Sequence, residues 1–295
     1  MGKALWIAIG NDGEMRRHRP VAPLQSGWVI VEGLPMYHRV ADEAPANAPA
    51  VVHVHGFGIS GTYLERTAAL LAPKYRTFVP DLPGMGRSMR PESTHDLPGL
   101  ARALIEYCDA IGIERATFVG NSLGCPVIVA IASTYPDRME RAVLVSPAGG
   151  PNNQPMARAV RQMIFDAPRE PVGLVPIAVA DYLRFGFVQG WDLFKSMTAY
   201  ATLDHLRNLR VPTLVIAGLR DPLVDIERVH VFSGLPHVDA VAVSGAHALN
   251  FSRPELIAWL IDAFMEGRPY VAPPGSTDSV VELEIPEASP ELASG

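Results

Sequence analysis

One stretch of the chain constrains its fold more than any other, because it passes abruptly from a strand pattern to a helix pattern. Arg115 to Val119 is a short apolar run typical of a buried strand, and Cys125 to Ala132 is an Ala-rich run typical of a helix. Between them stands Gly120-Asn121-Ser122-Leu123-Gly124, a G-x-S-x-G sequence. A strand that turns at once into a helix needs tiny residues two positions from the apex. The sequence therefore predicts a sharp turn with Ser122 at its tip.

Such a turn exposes the serine hydroxyl above the sheet and points the next amide, that of Leu123, to where an oxyanion would form. The alternative is a glycine-flanked turn with an ordinary serine. The strand before and the helix after favour a nucleophile. A nucleophilic serine requires a base, an acid that orients the base, and a second oxyanion donor.

Composition limits the classes of function. The 295 residues are 48% apolar, enough for one large α/β domain with an insertion or for two small domains. A net charge of -6 provides no basic surface for phosphates and argues against nucleic acid binding. Two cysteines form no disulfide framework, so we expect a cytoplasmic protein. No apolar run is long enough to span a membrane, although Pro171 to Ala180 comes closest.

Strand and helix patterns alternate from Val51 to Ser146, which predicts a parallel sheet covered on both faces. In such sheets, sites form at the carboxyl ends of strands. His55-Gly56-Phe57-Gly58 follows one strand, and its glycines allow close backbone approach, so the Phe57 amide is a candidate second oxyanion donor. His53 and His55 share a strand, but no third ligand has metal-binding spacing. His55 is expected to hold the turn.

The glycine-rich turn Asp81 to Ser88 follows the next strand. It lacks the Gly-Lys-Ser/Thr ending of a phosphate-binding loop, and no helix begins directly after it. We therefore do not assign phosphate binding to it.

The pattern changes between Pro147 and about Leu206, where Met, Phe, Pro and Trp are frequent and clear strands are missing. Because a structureless loop of this length is uncommon, we predict a small helical insert over 147–206 that lies over the strand ends as a lid. An apolar lid implies an apolar substrate pocket, although about half of these side chains would only pack within the insert. The residues predicted to contact substrate are Gly56, Asn121, Phe165, Tyr182, Phe185, Trp191 and Leu249.

The sheet pattern resumes at Val211 to Gly218, and Asp221 follows at the carboxyl end of that strand. A turn aspartate before proline is the plain alternative. After the last predicted strand, Val238 to Val243, His247 lies in a loop of small residues. Other acids could serve in place of Asp221, namely Asp81, Asp225 and Asp239.

The chain order Ser122, Asp221, His247 is the nucleophile, acid, base order of one fold. With the turns at His55-Gly56-Phe57-Gly58 and Asp81 to Ser88, the sequence resembles the α/β-hydrolase family from roughly residue 27 to residue 267. The resemblance implies a mostly parallel eight-stranded sheet flanked by helices, with the insert after strand 6. It also implies that Ser122 attacks, His247 accepts its proton and Asp221 orients His247.

The same resemblance implies that the amides of Phe57 and Leu123 hold the oxyanion, and that no cofactor or metal ion takes part. The expected activity is hydrolysis of an ester or similar acyl bond in a small, largely apolar substrate. Serine at the turn is unlike the aspartate of haloalkane dehalogenases and epoxide hydrolases.

Two alternatives remain. The chain also resembles carbon–carbon bond hydrolases of the meta-cleavage type through Gly-Asn-Ser at the turn and Pro147 to Gly150 after the next strand. Ala248 stands where those enzymes usually carry tryptophan, although Arg158, Arg161 or Arg184 could supply their lid cation. The other alternative is a small-molecule receptor on the same fold without turnover.

The predicted organisation is a lead-in over 1–26, a hydrolase core over 27–146 and 207–268, the insert over 147–206, and a disordered acidic tail over 269–295. The expected partner is the small apolar acyl substrate, without nucleic acid and without a membrane span. A homodimer is compatible with the sequence.

Overall fold

The protein is built on one large sheet. The structure, a computed structural model, describes residues 24–41, 43–92 and 95–283. In these residues nine strands form a sheet in the order β1-β2-β4-β3-β5-β6-β7-β8-β9. The strands are β1 (Gln25–Val31), β2 (Leu34–Ala41), β3 (Ala50–Val54), β4 (Arg76–Pro80), β5 (Ala116–Asn121), β6 (Met139–Val145), β7 (Thr213–Gly218), β8 (Val238–Val243) and β9 (Val280–Glu282).

Strands β3 to β8 run parallel to one another, whereas β1, β2 and β9 pair antiparallel at the two edges of the sheet. The carboxyl ends of the parallel strands therefore meet at one edge. The predicted α/β-hydrolase fold is confirmed.

Helices cover both faces of the sheet, as the strand composition predicts. Successive strand residues point to opposite faces, so Phe118 of β5 packs toward one helical layer and Val119 toward the other. Both side chains are buried, which explains why the parallel strands are mostly apolar on both faces. The helices of the core are α1 (Glu65–Leu71), α2 (Leu97–Ala110), α3 (Gly124–Thr134), α7 (Ile226–Phe232), α8 (Leu249–Ser252) and α9 (Pro254–Glu266), with α4 to α6 between β6 and β7.

The insert, residues 147–206, contains three α-helices in the described part of the chain: α4 (Met156–Asp166), α5 (Val175–Phe185) and α6 (Phe187–Ala199). Buried Phe185, Leu193 and Phe194 join the same hydrophobic core as α2 and α3. The insert thus packs on the carboxyl edge of the sheet, where the candidate site lies. Its function as a lid stays a prediction.

Part of the predicted tail is ordered. Val280–Glu282 forms β9 and pairs with β8, so the prediction of a disordered tail over 269–295 is wrong for these residues, and the described sheet has nine strands rather than eight. The segment Val280–Glu282 is too short for a strand to be predicted from its sequence. Residues 1–23 of the predicted lead-in and 284–295 of the tail lie outside the described residues.

No single helix in the described chain is long and apolar enough to cross a bilayer. Two helical segments, Val172–Phe185 and Gly190–Ala199, are long and apolar enough for this only when they are taken together. They are bent by 114° relative to each other. This pair overlaps the Pro171 to Ala180 run singled out in the sequence from Val172 onward.

Candidate active site

Ser122 lies at the tip of the sharp turn between β5 and α3. Its backbone has a φ of 54°, a conformation that is strained for a residue with a side chain. The turn closes only because its flanking residues are glycines. A Cβ on Gly124 would lie 2.2 Å from the carbonyl oxygen of Val54, and one on Gly120 would lie 2.6 Å from the Gly124 carbonyl carbon. The sequence G-x-S-x-G is thus a steric requirement here.

Asp221 and His247 meet at the carboxyl ends of β7 and β8. The Nδ1–H of His247 donates to Oδ2 of Asp221 at 2.8 Å, and the other carboxylate oxygen accepts the Leu223 N–H at 2.9 Å. The two loops approach closely at Gly218, where a Cβ would lie 2.7 Å from the Ala246 carbonyl oxygen. A buried carboxylate in this position fixes both the tautomer and the orientation of the imidazole.

The three other acids considered from the sequence have different roles. Asp81 pairs with Arg39 at 2.7 Å and accepts the Gly61 N–H. Asp225 caps α7 by accepting from the Arg228 N–H, and Asp239 accepts from the Tyr270 hydroxyl. Asp221 is the acid that the structure places on the imidazole.

A hydrogen-bonded chain connects the three loops of the site. The Gly56 N–H donates to the Tyr63 hydroxyl at 2.8 Å, and that hydroxyl donates to Oδ1 of Asn121 at 2.8 Å. Asn121 in turn donates from Nδ2 to the carbonyl oxygen of His247 at 3.2 Å. The residue before Ser122 therefore holds both the Gly56 turn and the loop of His247. Gly56 and Asn121, predicted to contact substrate, are engaged in this chain.

The predicted oxyanion donors are Phe57 and Leu123. In the described part of the chain neither amide has an acceptor, so both N–H groups are available to an oxygen. His55 fixes the turn, as expected. Its Nδ1–H donates to the Gly56 carbonyl at 2.9 Å, and its Nε2 accepts the Leu82 N–H at 2.8 Å.

Aromatic residues attach the insert to the Phe57 turn. Phe57 packs against Phe185 and Phe194 with ring centroids 5.2 Å apart in both pairs. Tyr182 lies against Gly58, where a Cβ would approach its ring to 2.8 Å. Phe185 and Tyr182, both predicted to contact substrate, thus lie beside the Phe57 turn.

The remaining predicted substrate contacts lie elsewhere. Leu249 is fully buried in the core between the sheet and α9, a position that does not fit contact with substrate. Phe165 is 57% exposed on the outside of the insert, and Trp191 is also exposed. Sequence alone could not separate the inner from the outer face of the insert, because apolar side chains occupy both.

Two acidic residues near His247 were missed by sequence reasoning. Glu170 accepts the Ala248 N–H at 2.7 Å, and Asp166 is buried four residues before Glu170. Burial opposes protonation of the imidazole, but the Asp221 carboxylate, with smaller effects of Asp166 and Glu170, raises the pKa of His247 to about 9. No sequence signal connects positions 166 and 170 with position 247.

The described residues contain no group of three or more His, Cys, Asp and Glu side chains arranged to hold a metal ion. His53 is completely buried, and the low polarity of its surroundings lowers its pKa to about 3. It is therefore a neutral core residue at physiological pH.

The chain matches the family model of the alpha/beta hydrolase fold over residues 49–196. It therefore belongs to the α/β-hydrolase fold family. It is 32% identical over 135 residues to an uncharacterized protein of Mycobacterium bovis, a match that covers 46% of this chain and 38% of that protein. The chain thus spans less than half the length of this relative.

A relative of similar length is a putative carbamate hydrolase of Pseudomonas syringae, 27% identical over 79% of this chain and 100% of that protein. Two solved structures share the fold. An enol-lactonase from Burkholderia xenovorans has a TM-score of 0.69 and 22% identity, covering 81% of this chain and 100% of that one. A carboxylesterase from Bacillus subtilis has a TM-score of 0.66 and 21% identity, covering 84% and 93%.

Proposed function

We propose that the protein is a serine hydrolase that cleaves an ester or similar acyl bond through an acyl-enzyme, with Ser122, His247 and Asp221 as the catalytic triad. The observation that carries this proposal is the 2.8 Å hydrogen bond between His247 and Asp221, in a loop tied by Asn121 to strained Ser122. A strained serine, an oriented base and two unpaired amides are the parts that acyl transfer requires.

The reaction follows from these groups. Ser122 Oγ loses its proton to Nε2 of His247 and attacks the acyl carbon, while the carbonyl electron pair moves to an oxygen held by the amides of Phe57 and Leu123. Collapse of this intermediate expels the alcohol, which takes the proton from His247. Water then repeats the two steps on the acyl-enzyme and releases the acid. The Asp221 carboxylate stabilises the imidazolium in both halves.

Charge at the site disfavours the carbon–carbon hydrolase alternative. The charged groups with the largest effect on His247 are carboxylates, whereas Arg158, Arg161 and Arg184 are all exposed on the insert. An anionic dienolate would meet like charge beside the base. The name of the Pseudomonas syringae relative instead adds carbamates to the acyl substrates that we would assay.

The test is labelling by a small fluorophosphonate followed by intact mass and peptide mapping. We expect one adduct, on Ser122, and hydrolysis of short p-nitrophenyl esters. Replacing Ser122→Ala should abolish labelling and lower kcat on the order of 10⁴- to 10⁶-fold. The matched control is Ser133→Ala, because Ser133 is an exposed serine at the end of α3, the helix that begins just after Ser122.

Labelling at another residue, or ester turnover that survives Ser122→Ala, would contradict the proposal. Absence of both labelling and turnover in the wild type would favour a receptor. Faster turnover of a dienedione than of any ester or carbamate would favour the carbon–carbon hydrolase.

A further inference from the structure

Two carboxyl side chains of the insert lie on the loop that carries His247. Asp166 is the last residue of α4, and Glu170 follows four residues later. Glu170 Oε1 accepts the N–H of Ala248, the residue directly after the base, at 2.7 Å. Asp166 is buried, and its carboxyl group is near enough to His247 to act on the imidazole through its charge. The insert therefore contacts the backbone next to the base as well as the Phe57 turn.

The two carboxyl groups are near enough to affect each other's protonation. Asp166 Oδ1 and Glu170 Oε2 are buried, and neither has a hydrogen-bond donor in the described part of the chain. Two buried carboxyl groups near each other are stable when they share a proton, because like charges in a low dielectric repel. Burial and the neighbouring Asp166 raise the pKa of Glu170 to about 7, and burial raises the pKa of Asp166 as well. One proton between the two groups provides the missing donor.

The loop of residues 244–248, which we call the histidine loop, is thus held from two sides. On the side of the sheet, Asn121 donates to the His247 carbonyl at 3.2 Å, and Asp221 accepts from the imidazole. On the side of the insert, Glu170 accepts from Ala248. The first two contacts lie within the core, whereas the third exists only while the insert is packed on the histidine loop.

We propose that Glu170, with Asp166, is a positioning residue for the catalytic histidine, so that docking of the insert completes the alignment of the base. This inference rests on the proposed function, in which His247 is the base. Glu170 holds the histidine loop through its acceptor oxygen and acts on the imidazole through its charge. Asp166 adds a second carboxyl group that acts on the imidazole through its charge. The titratable groups that face His247 are Asp221, Asp166 and Glu170.

Two substitutions separate the hydrogen bond from the charge. Glutamine in Glu170→Gln can still accept the Ala248 N–H, and its amide can donate to Asp166 as the shared proton does, but it carries no charge. Alanine in Glu170→Ala removes the acceptor as well. The matched control is Asp192→Asn, which removes one charge from the insert at a side chain that is 88% exposed.

We expect Glu170→Ala to lower kcat about tenfold with little change in KM, since one hydrogen bond to the histidine loop is lost. We expect Glu170→Gln to keep kcat at the plateau within about twofold. Its acidic limb of kcat/KM should shift to lower pH by about one unit, because a carboxylate that stabilises the imidazolium is gone. Asp192→Asn should change neither quantity.

A second readout does not depend on turnover. Titration of the His247 imidazole by NMR should give a lower pKa in Glu170→Gln than in the wild type and in Asp192→Asn. Identical titrations and identical pH profiles in all three proteins would overturn the inference. So would equal losses of kcat in the Gln and Ala variants with an unshifted pH profile, which would indicate a merely structural contact. If the wild type neither labels nor turns over, the proposed function fails, whereas the NMR titration still decides the contact.

Discussion

At the scale of single residues, Asp221 is the member of the proposed triad that the sequence indicated least clearly, since an aspartate before proline is common in turns. The structure places its carboxylate 2.8 Å from His247 Nδ1. We expect Asp221→Asn to lower kcat on the order of 10³- to 10⁴-fold, because an amide in this position no longer favours the tautomer that can accept the serine proton. The measurement is steady-state hydrolysis of a p-nitrophenyl ester near the pH optimum.

The matched control is Asp225→Asn, which changes an aspartate four residues away that caps α7. Asparagine is also a good helix cap, so this variant should keep its rate. Equal rates in the Asp221→Asn variant and the wild type would mean that another group orients the His247 imidazole.

The site residues differ in how far sequence could identify them. The geometry around Ser122 is local, because two glycines and a strand-to-helix change within seven residues determine it. His247 and Asp221 could be assigned from their positions after strands. Tyr63 and Glu170 could not, because a tyrosine seven residues from Gly56 and an acid in the insert acquire their roles only from three-dimensional contacts.

At the scale of elements, the insert is attached to the Phe57 turn by aromatic packing and by one buried hydrogen bond. Phe185 packs edge to face against Phe57, and the Asp181 carboxylate of the same helix accepts the Ser60 N–H at 2.8 Å. Helix α5 therefore positions the loop that carries the Phe57 amide. A substitution that weakens the packing of α5 should therefore lower both the free energy of unfolding and kcat.

Phe185→Ala tests this attachment. Removing a buried phenyl ring should lower the free energy of unfolding by about 3–5 kcal/mol and lower kcat, since the Phe57 amide loses its support. The matched control is Leu183→Ala, two residues earlier in α5, where the side chain is 80% exposed and the change should stay within about 0.5 kcal/mol. Chemical denaturation and ester hydrolysis measure the two effects. A stable Phe185→Ala variant with full activity would contradict the attachment.

The elements themselves were predictable to different degrees. The parallel strands are mostly apolar runs, so their existence followed from the sequence, and Asp96 caps α2 by accepting the Gly99 N–H. Strand β9 could not be predicted, because three residues gain strand structure only by pairing with β8. The inner face of the insert could not be predicted either, since exposed Val179 and buried Phe185 are both apolar.

At the scale of the whole molecule, the fold concentrates negative charge around one imidazole. Asp166 and Glu170 come from the insert and Asp221 from the loop after β7, and together they raise the pKa of His247 to about 9 despite its burial. The base must be neutral to accept the proton of Ser122. Activity should therefore be lost as pH falls through the pKa of His247, and this loss should occur above neutrality.

We expect kcat/KM for a neutral p-nitrophenyl ester to rise with pH along a limb whose midpoint lies above 7 and approaches 9. Rates would be measured from pH 5 to 10 with subtraction of spontaneous hydrolysis, at low and at high salt. Because the carboxylates are largely buried, added salt should move the midpoint only slightly. A midpoint at or below 6.5, the ordinary value for histidine, would contradict a raised pKa of His247 and with it the effect of Asp221, Asp166 and Glu170 on the base in solution. A midpoint that falls strongly with salt would place them in contact with solvent, as expected for an insert that stands open.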